Sequence, residues 1–366
     1  MRIGLDYRLA TCFPDSGIGR QNKALEAAFR ARPENSVQLF GIAPEDHPIR
    51  RKVHCPRWGT PLNGFHRLPE RFKFEALFLP KALQQAEIEL YMCNVNMGLP
   101  IGRKPAGLRY VLQLHDLFQL TLTNSHASRL RKWVYGVTDR LSIAWSVKVA
   151  DRIWTPSQFT ADELVKHFPK ACDKVRVLPN LVSEFTGEPA DLGHLALPAR
   201  YWLAVGTREP RKNMPWFIDA WQQARQRDPQ VPELVLVGPA PHLPINQQHL
   251  YGVHFIEGVS DAELQGLYRH AERLWQPSYA EGFGLPVVEA LGQGTPVAVA
   301  SGSSLDEVTP PGSPRFSPTD TQALVDLMLS LATPPVEDRE ALKAWAKGYG
   351  LEAYRLRFNE LFEELC

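Results

Sequence analysis

Residues 273–299, RLWQPSYAEGFGLPVVEALGQGTPVAV, decide the fold of this chain. An apolar strand at Arg273–Gln276 leads through a glycine-rich loop into a helix at Leu285–Gly292, and a second apolar strand follows at 296–299. Such a sequence of strand, helix and strand predicts a parallel β–α–β unit. The loop follows the carboxyl end of a strand, which is where sheets of this kind bind their ligands.

The same alternation continues along the rest of the chain. In the first half it predicts strands at 2–7, 36–41, 110–114, 152–155 and 175–177, and helices at 19–30, 129–150 and 158–168. In the second half it predicts further strands at 202–205, 233–237 and 254–256, and further helices at 214–226, 261–270 and 321–332. We therefore expect an α/β protein with parallel sheets.

Length and composition are consistent with two such domains. The 366 residues correspond to about two domains of ordinary size. We expect two doubly wound, Rossmann-like domains at 1–183 and 201–344, with a ligand cleft between them. Residues 184–200 are predicted to be a linker. The helical stretch at about 345–366 is expected to pack back on the first domain.

Composition excludes several classes of protein. The hydrophobic fraction of 44% and the charged fraction of 22% are typical of a soluble globular protein. The five cysteines suggest neither a disulfide framework nor a zinc site. The apolar runs are too short to span a membrane, and the N-terminus does not resemble a signal peptide. We therefore expect a cytoplasmic protein.

Charge is unevenly divided along the chain. Residues 1–183 contain 27 Lys and Arg against 16 Asp and Glu, whereas residues 184–366 contain 14 against 24. Basic clusters at 50–52, 67–73 and 129–132 are interleaved with the aromatic residues Trp58, Phe65, Phe72, Phe74 and Trp133. This pattern favours an anionic partner such as a lipid headgroup, although charge also fluctuates by chance. We find no nucleic-acid recognition motif.

The loop after the 273–276 strand has the residues of an anion site. Gly282 and Gly284 allow a tight backbone, and the free amides at Gly284 and Leu285 would begin a helix, which favours a diphosphate. Glu281 and Glu289 could each accept hydrogen bonds from sugar hydroxyls. The alternative is that these two residues are a solvated loop glutamate and a capping glutamate.

Further polar residues follow other predicted strands. Arg211 and Lys212 come after the 202–205 strand and could neutralise a departing diphosphate, unless they are ordinary loop charges. His115 and Asp116 follow the 110–114 strand, where a histidine could orient a sugar or move a proton. The alternative for His115 is a buried histidine bonded to its neighbour. The sequence offers no reason to invoke a metal.

Taken together and in order, these motifs resemble the retaining GT-B glycosyltransferases of family 4. The resemblance rests on residues 17–20 (GIGR), 115–116 (HD), 155–160 (TPSQFT), 178–180 (LPN), 206–213 (GTREPRKN), 255–267, 281–296 (EGFGLPVVEALGQGTP) and 303–308 (SSLDEV). It implies two Rossmann-like domains that bind a nucleotide-sugar and transfer the sugar with retention of configuration. It also implies that no cofactor or divalent metal is needed.

The resemblance assigns roles to individual residues. The diphosphate would be bound by Arg208, Arg211 and Lys212, with backbone at Gly17, Gly19, Gly284 and Leu285; the donor sugar would meet Glu281, His115 and Asp116; and the ribose and base would meet Glu289, Ile256 and Val259. Many relatives have an arginine directly after the glycine at position 206, where this chain has Thr207. Whether Arg208 or Arg211 supplies the second positive charge is therefore left open.

The resemblance is strongest to a branch rich in bacterial mannosyl- and deoxyhexosyltransferases. We therefore predict a hexosyltransferase that uses GDP-mannose or a GDP-deoxyhexose in the synthesis of lipopolysaccharide, O-antigen or exopolysaccharide. It would act on a lipid-linked acceptor at the cytoplasmic face of the inner membrane, with residues 44–81 and 125–140 towards the acceptor. The alternatives are a nucleotide-sugar 2-epimerase or a phosphorylase on the same fold, and a sugar-nucleotide-binding scaffold without catalysis.

Overall fold

A computed structural model of the chain describes residues 1–14, 16–43, 45, 47–54, 68–121, 129–185 and 187–365. The chain divides into two units, one formed by Met1–Asn180 with Arg355–Cys366 and the other by Leu181–Tyr354. The predictions that involve Trp58, Phe65 and Arg67 lie outside the described residues. The side chains of Arg131 and Lys132 lie outside them as well.

Within the described residues, the first unit is built on a seven-stranded parallel sheet. Its strands are β1 (Arg2–Asp6), β2 (Ser36–Ala43), β3 (Arg51–His54), β4 (Leu90–Cys93), β5 (Arg109–Gln113), β6 (Arg152–Thr155) and β7 (Val175–Val177). They lie in the order β3-β2-β1-β4-β5-β6-β7 and pair in parallel throughout. From β1 the chain continues to β2 and β3 on one side of the sheet, and from β4 it continues to β5, β6 and β7 on the other side. The carboxyl ends of β1 and β4 lie at this change of direction, which is the usual position of a ligand in such a sheet.

Helices cover this sheet. They are α1 (Arg8–Cys12), α2 (Gly17–Arg30), α3 (Leu68–Phe72), α4 (Leu79–Gln85), α5 (Phe118–Thr121), α6 (Arg129–Val149) and α7 (Gln158–His167). A π-helical segment, Lys73–Phe78, joins α3 to α4. Two of the helices begin at a serine whose hydroxyl accepts from an amide three residues later: Ser16 caps α2 and Ser157 caps α7. Such caps satisfy amides that the helix itself leaves unpaired.

Aromatic rings fill one face of the first sheet. The ring of Tyr91 on β4 lies 6.0 Å from that of Phe40 and 6.3 Å from that of Tyr110. The rings of Phe40 and Tyr91 meet over Gly4 on β1, where a Cβ atom would lie 2.9 Å from the Phe40 ring and 3.0 Å from the Tyr91 ring. Glycine is therefore required at this position to let large rings on neighbouring strands pack together.

Within the described residues, the second unit is built on a six-stranded parallel sheet. Its strands are β8 (Tyr201–Val205), β9 (Glu233–Val237), β10 (Val253–Ile256), β11 (Arg273–Gln276), β12 (Val297–Ala300) and β13 (Arg315–Phe316). They lie in the order β10-β9-β8-β11-β12-β13, again with parallel pairing. The switch of direction falls between β8 and β11, so the loops after these two strands share a ligand-binding position.

The helices of the second unit follow these strands. They are α8 (Met214–Arg227), α9 (Ile245–Gln248), α10 (Asp261–His270), α11 (Leu285–Gly292), α12 (Leu305–Val308), α13 (Thr321–Ser330) and α14 (Arg339–Lys347), after which α15 (Leu351–Glu363) ends the chain in residues of the first unit. Trp275 lies at the centre of this unit, with its ring 4.9 Å from Trp202 and 5.7 Å from Phe217. All three side chains are buried.

The end of the chain packs on the first unit, but over a shorter stretch than predicted. Phe358 lies 5.0 Å from Phe29 and 6.0 Å from Trp154, measured between ring centroids. By contrast, the Trp345 indole donates to the carbonyl of Val308 in the second unit. The expectation that the returning helix begins near residue 345 is therefore wrong, because the apolar side of α14 is already covered by the second unit.

Residues 184–200 are not a free linker either. Phe185, Leu192, Leu195 and Leu197 pack against the core of the second unit, and the segment belongs to that unit. A Cβ atom at Gly266 would lie 3.1 Å from Leu192. The glycines and prolines of this segment give it an irregular backbone, whereas its apolar side chains attach it to the domain.

The predicted α/β class is confirmed. The bounds of β9, α10, β11 and α11 are those expected from the sequence, whereas strands β3, β4 and β13 and the short helices are additions. Among the described helices, none has the length and apolar character needed to cross a bilayer.

Candidate functional site

The loops after β8 and β11 meet at the switch point of the second sheet. The backbone amide of Tyr279 donates to the carbonyl of Arg211 over 2.8 Å, and the Arg211 guanidinium donates to the carbonyl of Ala280 over 3.3 Å. Two predicted site segments, 206–213 and 281–289, are thereby brought to one position.

Glu281 lies at the centre of this position and is 5% exposed. One carboxylate oxygen accepts from the Lys212 ammonium at 2.8 Å, and it also accepts from Gln276 and Ser278 at 2.9 and 2.8 Å. The other oxygen accepts from the Arg211 guanidinium. The structure therefore joins three predicted site residues, Arg211, Lys212 and Glu281, in one buried ion cluster.

Charge in this cluster favours the ionised carboxylate. Burial alone would raise the pKa of Glu281, but Lys212 and Arg211 outweigh it and lower the pKa from 4.5 to about 2. The Glu281 carboxyl is therefore ionised at neutral pH. Arg211 also meets the more exposed carboxylate of Glu209, so the two cations are balanced by two carboxylates, of which Glu281 is the buried one.

Lys212 has hydrogen-bond donors beyond the one that Glu281 uses. An ammonium group carries three N–H donors, and Glu281 is the carboxylate that pairs with it among the described residues. Arg211 also pairs with Glu209 at 2.6 Å. The cluster can therefore donate to a phosphate without first losing its internal anion.

Helix α11 begins beside the same loop. Gly284 has a φ of 101°, and its missing Cβ would lie 2.6 Å from Leu305. No side chain of the described residues caps the first turn, which contains Leu285. The amides at this helix start are thus free of a competing side-chain acceptor, as an anion site requires.

Glu289 lies further along α11 and is also buried. Its carboxylate accepts from the Tyr268 hydroxyl at 2.9 Å. A cavity of about 230 Å³ lies next to it, lined by residues that include Lys343 and Lys347 of α14. Glu289 is therefore held by Tyr268 and lines this cavity.

The remaining predicted residues of the second unit are less constrained. Ile256 and Val259 are half-buried and pack on the core. Arg208 is exposed, and the described residues include no ion pair with it. Thr207 is buried and donates to the carbonyl of Pro239 at 2.9 Å. Of the two candidate arginines, Arg211 is the one that the structure places beside Lys212.

In the first unit, His115 lies at the carboxyl edge of the sheet, just after β5. Its Nε2 atom lies 2.8 Å from the Asn94 side-chain oxygen, and its backbone amide donates to Asn96 at 2.7 Å. Burial lowers the pKa of the His115 imidazole from 6.5 to about 4. The ring is therefore neutral at physiological pH, and it is Asn94 rather than Asp116 that fixes its orientation.

Asp116 is joined to the same group through Asn96. The Asn96 amide donates to the Asp116 carboxylate over 3.1 Å. Asn94 and Asn96, which follow β4, were not expected at the site from the sequence. Within the described residues, the Asn94 side-chain nitrogen is buried and lacks a hydrogen-bond partner.

Gly17 and Gly19 begin α2. A Cβ atom at Gly19 would lie only 2.2 Å from the carbonyl oxygen of Phe13, so no other residue fits without a backbone shift. The glycine at 19 is therefore explained by close packing. No cluster of three or more metal-binding side chains occurs among the residues described.

Two family models match the chain in succession. The model described as Glycosyltransferase Family 4 matches residues 16–184, and that described as Glycosyl transferases group 1 matches residues 199–333. The second match contains the Arg211–Lys212–Glu281 cluster and Glu289.

Curated relatives include O-antigen enzymes. The chain is 28% identical over 241 residues to the O-antigen chain mannosyltransferase RfbU of Salmonella typhimurium, covering 63% of this chain and 62% of that protein. It is 28% identical over 236 residues to the O-antigen chain mannosyltransferase B of Escherichia coli, covering 59% of each. The match thus spans about three fifths of these relatives' length.

Solved structures share the two-domain fold. A sucrose-phosphate synthase from Thermosynechococcus elongatus superposes with a TM-score of 0.72 at 19% identity, over 100% of this chain and 99% of that one. The lipopolysaccharide outer core galactosyltransferase WaaB superposes with a TM-score of 0.66 at 14% identity, over 100% of both chains. These similarities confirm the GT-B architecture.

Proposed function

Because the chain belongs to the family 4 and group 1 glycosyltransferases, we propose that it transfers a hexose from a nucleoside diphosphate sugar to a lipid-linked or cell-surface polysaccharide. The observation that carries this proposal is the buried cluster of Arg211, Lys212 and Glu281 at the switch point of the second sheet. The O-antigen mannosyltransferases among the relatives favour mannose, and hence GDP-mannose, with a GDP-deoxyhexose as the next choice.

In this proposal, Arg211 and Lys212 stabilise the diphosphate as its bond to the sugar breaks. Charge develops on the leaving oxygen in that step, and fixed cations lower its free energy. No divalent metal is required, because the two side chains supply the positive charge. Glu281 positions both cations and accepts from a hydroxyl of the donor sugar, while Glu289 binds the ribose and residues Ile256 and Val259 meet the base.

His115 contacts the donor sugar as a neutral hydrogen-bonding group. The Asn94 oxygen can only accept, so Nε2 of His115 carries the ring proton and Nδ1 remains an acceptor. That acceptor can orient a sugar hydroxyl next to the reacting carbon. We propose that the acceptor hydroxyl then attacks from the side the diphosphate leaves and gives its proton to the diphosphate, so that anomeric configuration is retained.

Binding of the donor is tested by thermal unfolding with nucleoside diphosphates and their sugars, each with and without EDTA. A ligand at about 100 times its dissociation constant adds roughly 2.7 kcal/mol of stability. We expect one nucleotide series to raise the melting temperature, with no effect of EDTA. Two of the structurally similar proteins are described in complex with UDP. Uridine nucleotides are therefore tested beside guanosine nucleotides.

Transfer is tested with the Lys212→Met variant on a lipid-linked glycan acceptor, with the anomeric configuration of the product read by NMR. Loss of the buried cation should reduce kcat by at least about 100-fold, the size found for a transition-state hydrogen-bond donor. Arg227→Met is the matched control, because Arg227 is half-exposed and pairs loosely with Asp326 at 3.9 Å. Equal activity of the two variants, or an inverted product, would contradict the proposal.

A further inference from the structure

Helix α6 of the first unit exposes a line of large apolar side chains. Leu130, Trp133 and Leu141 are 70%, 66% and 65% exposed, and Val137 between them is 38% exposed. Spacings of three and four residues place these side chains on one face of a helix. We refer to this face, Leu130, Trp133, Val137 and Leu141, as the α6 stripe. Soluble proteins rarely expose apolar side chains in such a contiguous row.

The opposite face of α6 holds the helix in place. Ile143, Ser146 and Val147 are buried against the unit, and the Ser146 hydroxyl accepts from the amide of Gly98 at 3.0 Å. The α6 stripe is thus presented by a helix that is packed along its other side. With the contacts of the described residues taken into account, the side chains of Leu130, Trp133 and Leu141 are still at least 65% exposed.

The sequence of α6 is rich in positive charge. The helix sequence RLRKWVYGVTDRLSIAWSVKV contains five Lys and Arg and one acidic residue, Asp139. That carboxylate pairs with the buried Arg71 of α3 at 2.8 Å, so its charge is neutralised inside the unit. Arg129 and Arg140 are exposed beside the stripe.

An exposed apolar row flanked by cations matches the surface of an anionic bilayer. Aromatic and aliphatic side chains enter the region between headgroups and acyl chains, while flanking Lys and Arg meet the anionic headgroups. A second copy of this chain fits less well, because two such helices would bring their cations together. The charge therefore favours lipid as the occupant.

The position of α6 in the fold supports the same conclusion. The helix ends next to Asp151, whose amide donates to Tyr110 near the start of β5, so it begins at the opposite, carboxyl edge. Its 21 residues extend about 32 Å, whereas the five residues of β5 span about 17 Å. The turns that carry Leu130 and Trp133 therefore project past the edge at which His115 lies.

We propose that the α6 stripe inserts into the headgroup region of an anionic bilayer and holds the carboxyl edge of the first unit against the membrane. A lipid-linked acceptor would then reach His115 without leaving the bilayer. This consequence rests on the proposed transferase function, whereas the membrane contact itself can be measured without any transfer.

The experiment is flotation of the full chain with vesicles of phosphatidylcholine alone or mixed with phosphatidylglycerol. The wild-type chain should bind the mixed vesicles, and the double variant Trp133→Ser/Leu141→Ser should bind about tenfold more weakly, or more. The control is Ile245→Ser/Tyr251→Ser, which removes side chains that are 82% and 86% exposed in the second unit. It should bind as the wild type does.

Transfer to a short, water-soluble acceptor separates this proposal from the proposed function. The stripe variant should lose activity on acceptors embedded in vesicles by a clearly larger factor than on that soluble acceptor. Unchanged flotation of the stripe variant would overturn the proposal, as would a wild-type dimer that the variant converts to a monomer. Absence of transfer by every protein, with flotation as expected, would count against the proposed function and not against the membrane contact.

Discussion

Glu281 has the contacts of a residue that organises cations. Each of its carboxylate oxygens is occupied by donors from its own chain, two of them charged. Such a carboxylate prevents Lys212 and Arg211 from repelling each other and fixes both in place for an incoming phosphate. At the residue scale, the site is therefore an ion-pair network in which one buried carboxylate holds two cations in fixed positions.

Replacing this carboxylate tests its electrostatic role. Glu281→Gln should destabilise the second unit at pH 7 by roughly 3 kcal/mol, because a pKa lowered from 4.5 to about 2 corresponds to that much interaction with the cations. The stabilisation is present above pH 4.5 and is lost as the pH falls towards 2. Urea unfolding at a series of pH values should show that the free energies of unfolding of the wild type and of Glu281→Gln converge below pH 4.5. A difference that stays constant down to pH 3 would contradict the assignment.

His115 provides a second residue-scale prediction. A pKa lowered by burial to about 4 means that the ring contributes stability above pH 6.5, which is lost as the pH falls from 6.5 towards 4. In an NMR titration of the wild-type chain with labelled histidines, the His115 resonance is identified by its absence from the spectrum of the His115→Gln variant. The chemical shift of that resonance should not change between pH 8 and 5.5. A midpoint near 6.5 for that resonance would show that the imidazole is not buried against Asn94.

At the scale of elements, the start of α11 depends on Gly284. For a residue with a Cβ, the positive φ at this position lowers the free energy of unfolding by roughly 1–2 kcal/mol. The Cβ atom would also overlap Leu305, 2.6 Å away. Gly284→Ala should therefore destabilise the second unit by more than the backbone effect alone.

A double-mutant cycle separates the two contributions at Gly284. Because Leu305→Ala removes the overlapping atoms but not the positive φ, it should recover only part of the loss in the Gly284→Ala background. Denaturant unfolding measures each free energy. Full recovery would mean that the backbone of this turn has no need for glycine.

Some elements are predictable from sequence and others are not. Helices α10 and α11 have amphipathic or capped patterns that depend on neighbouring residues, so their bounds follow from the sequence. Strand β4 has only the four residues LYMC, all buried, and its pattern cannot be told from a core helix segment. Strand β3, RKVH, has the composition of an exposed loop and forms because β2 offers it a free edge.

The same distinction applies to the site. Arg211, Lys212 and Glu281 were expected from their motifs, but their direct pairing depends on two loops 70 residues apart meeting at one switch point. Asn94 and Asn96 were missed because amides have no characteristic spacing. Their role becomes visible only when β4 and β5 are neighbours in the sheet.

At the scale of the whole molecule, the end of the chain stabilises the unit in which the chain begins. Phe358 is 1% exposed and packs on Phe29 and Trp154, so Phe358→Ala should destabilise the first unit by about 3–5 kcal/mol. Calorimetry should show a lower melting temperature for one transition only. Phe217→Ala, which removes a ring from the core of the second unit, should lower the other. If both variants lower the same transition, the assignment of the chain end is incorrect.

The return of the chain to its first unit also sets an order of events during synthesis. Residues Leu181–Tyr354 must be made before Phe358 exists, which takes on the order of 10 to 30 s at typical ribosomal rates. Over that interval the nascent first unit exposes Phe29 and Trp154, a surface that a chaperone can hold. The part of this protein that is made first is therefore the last to finish folding.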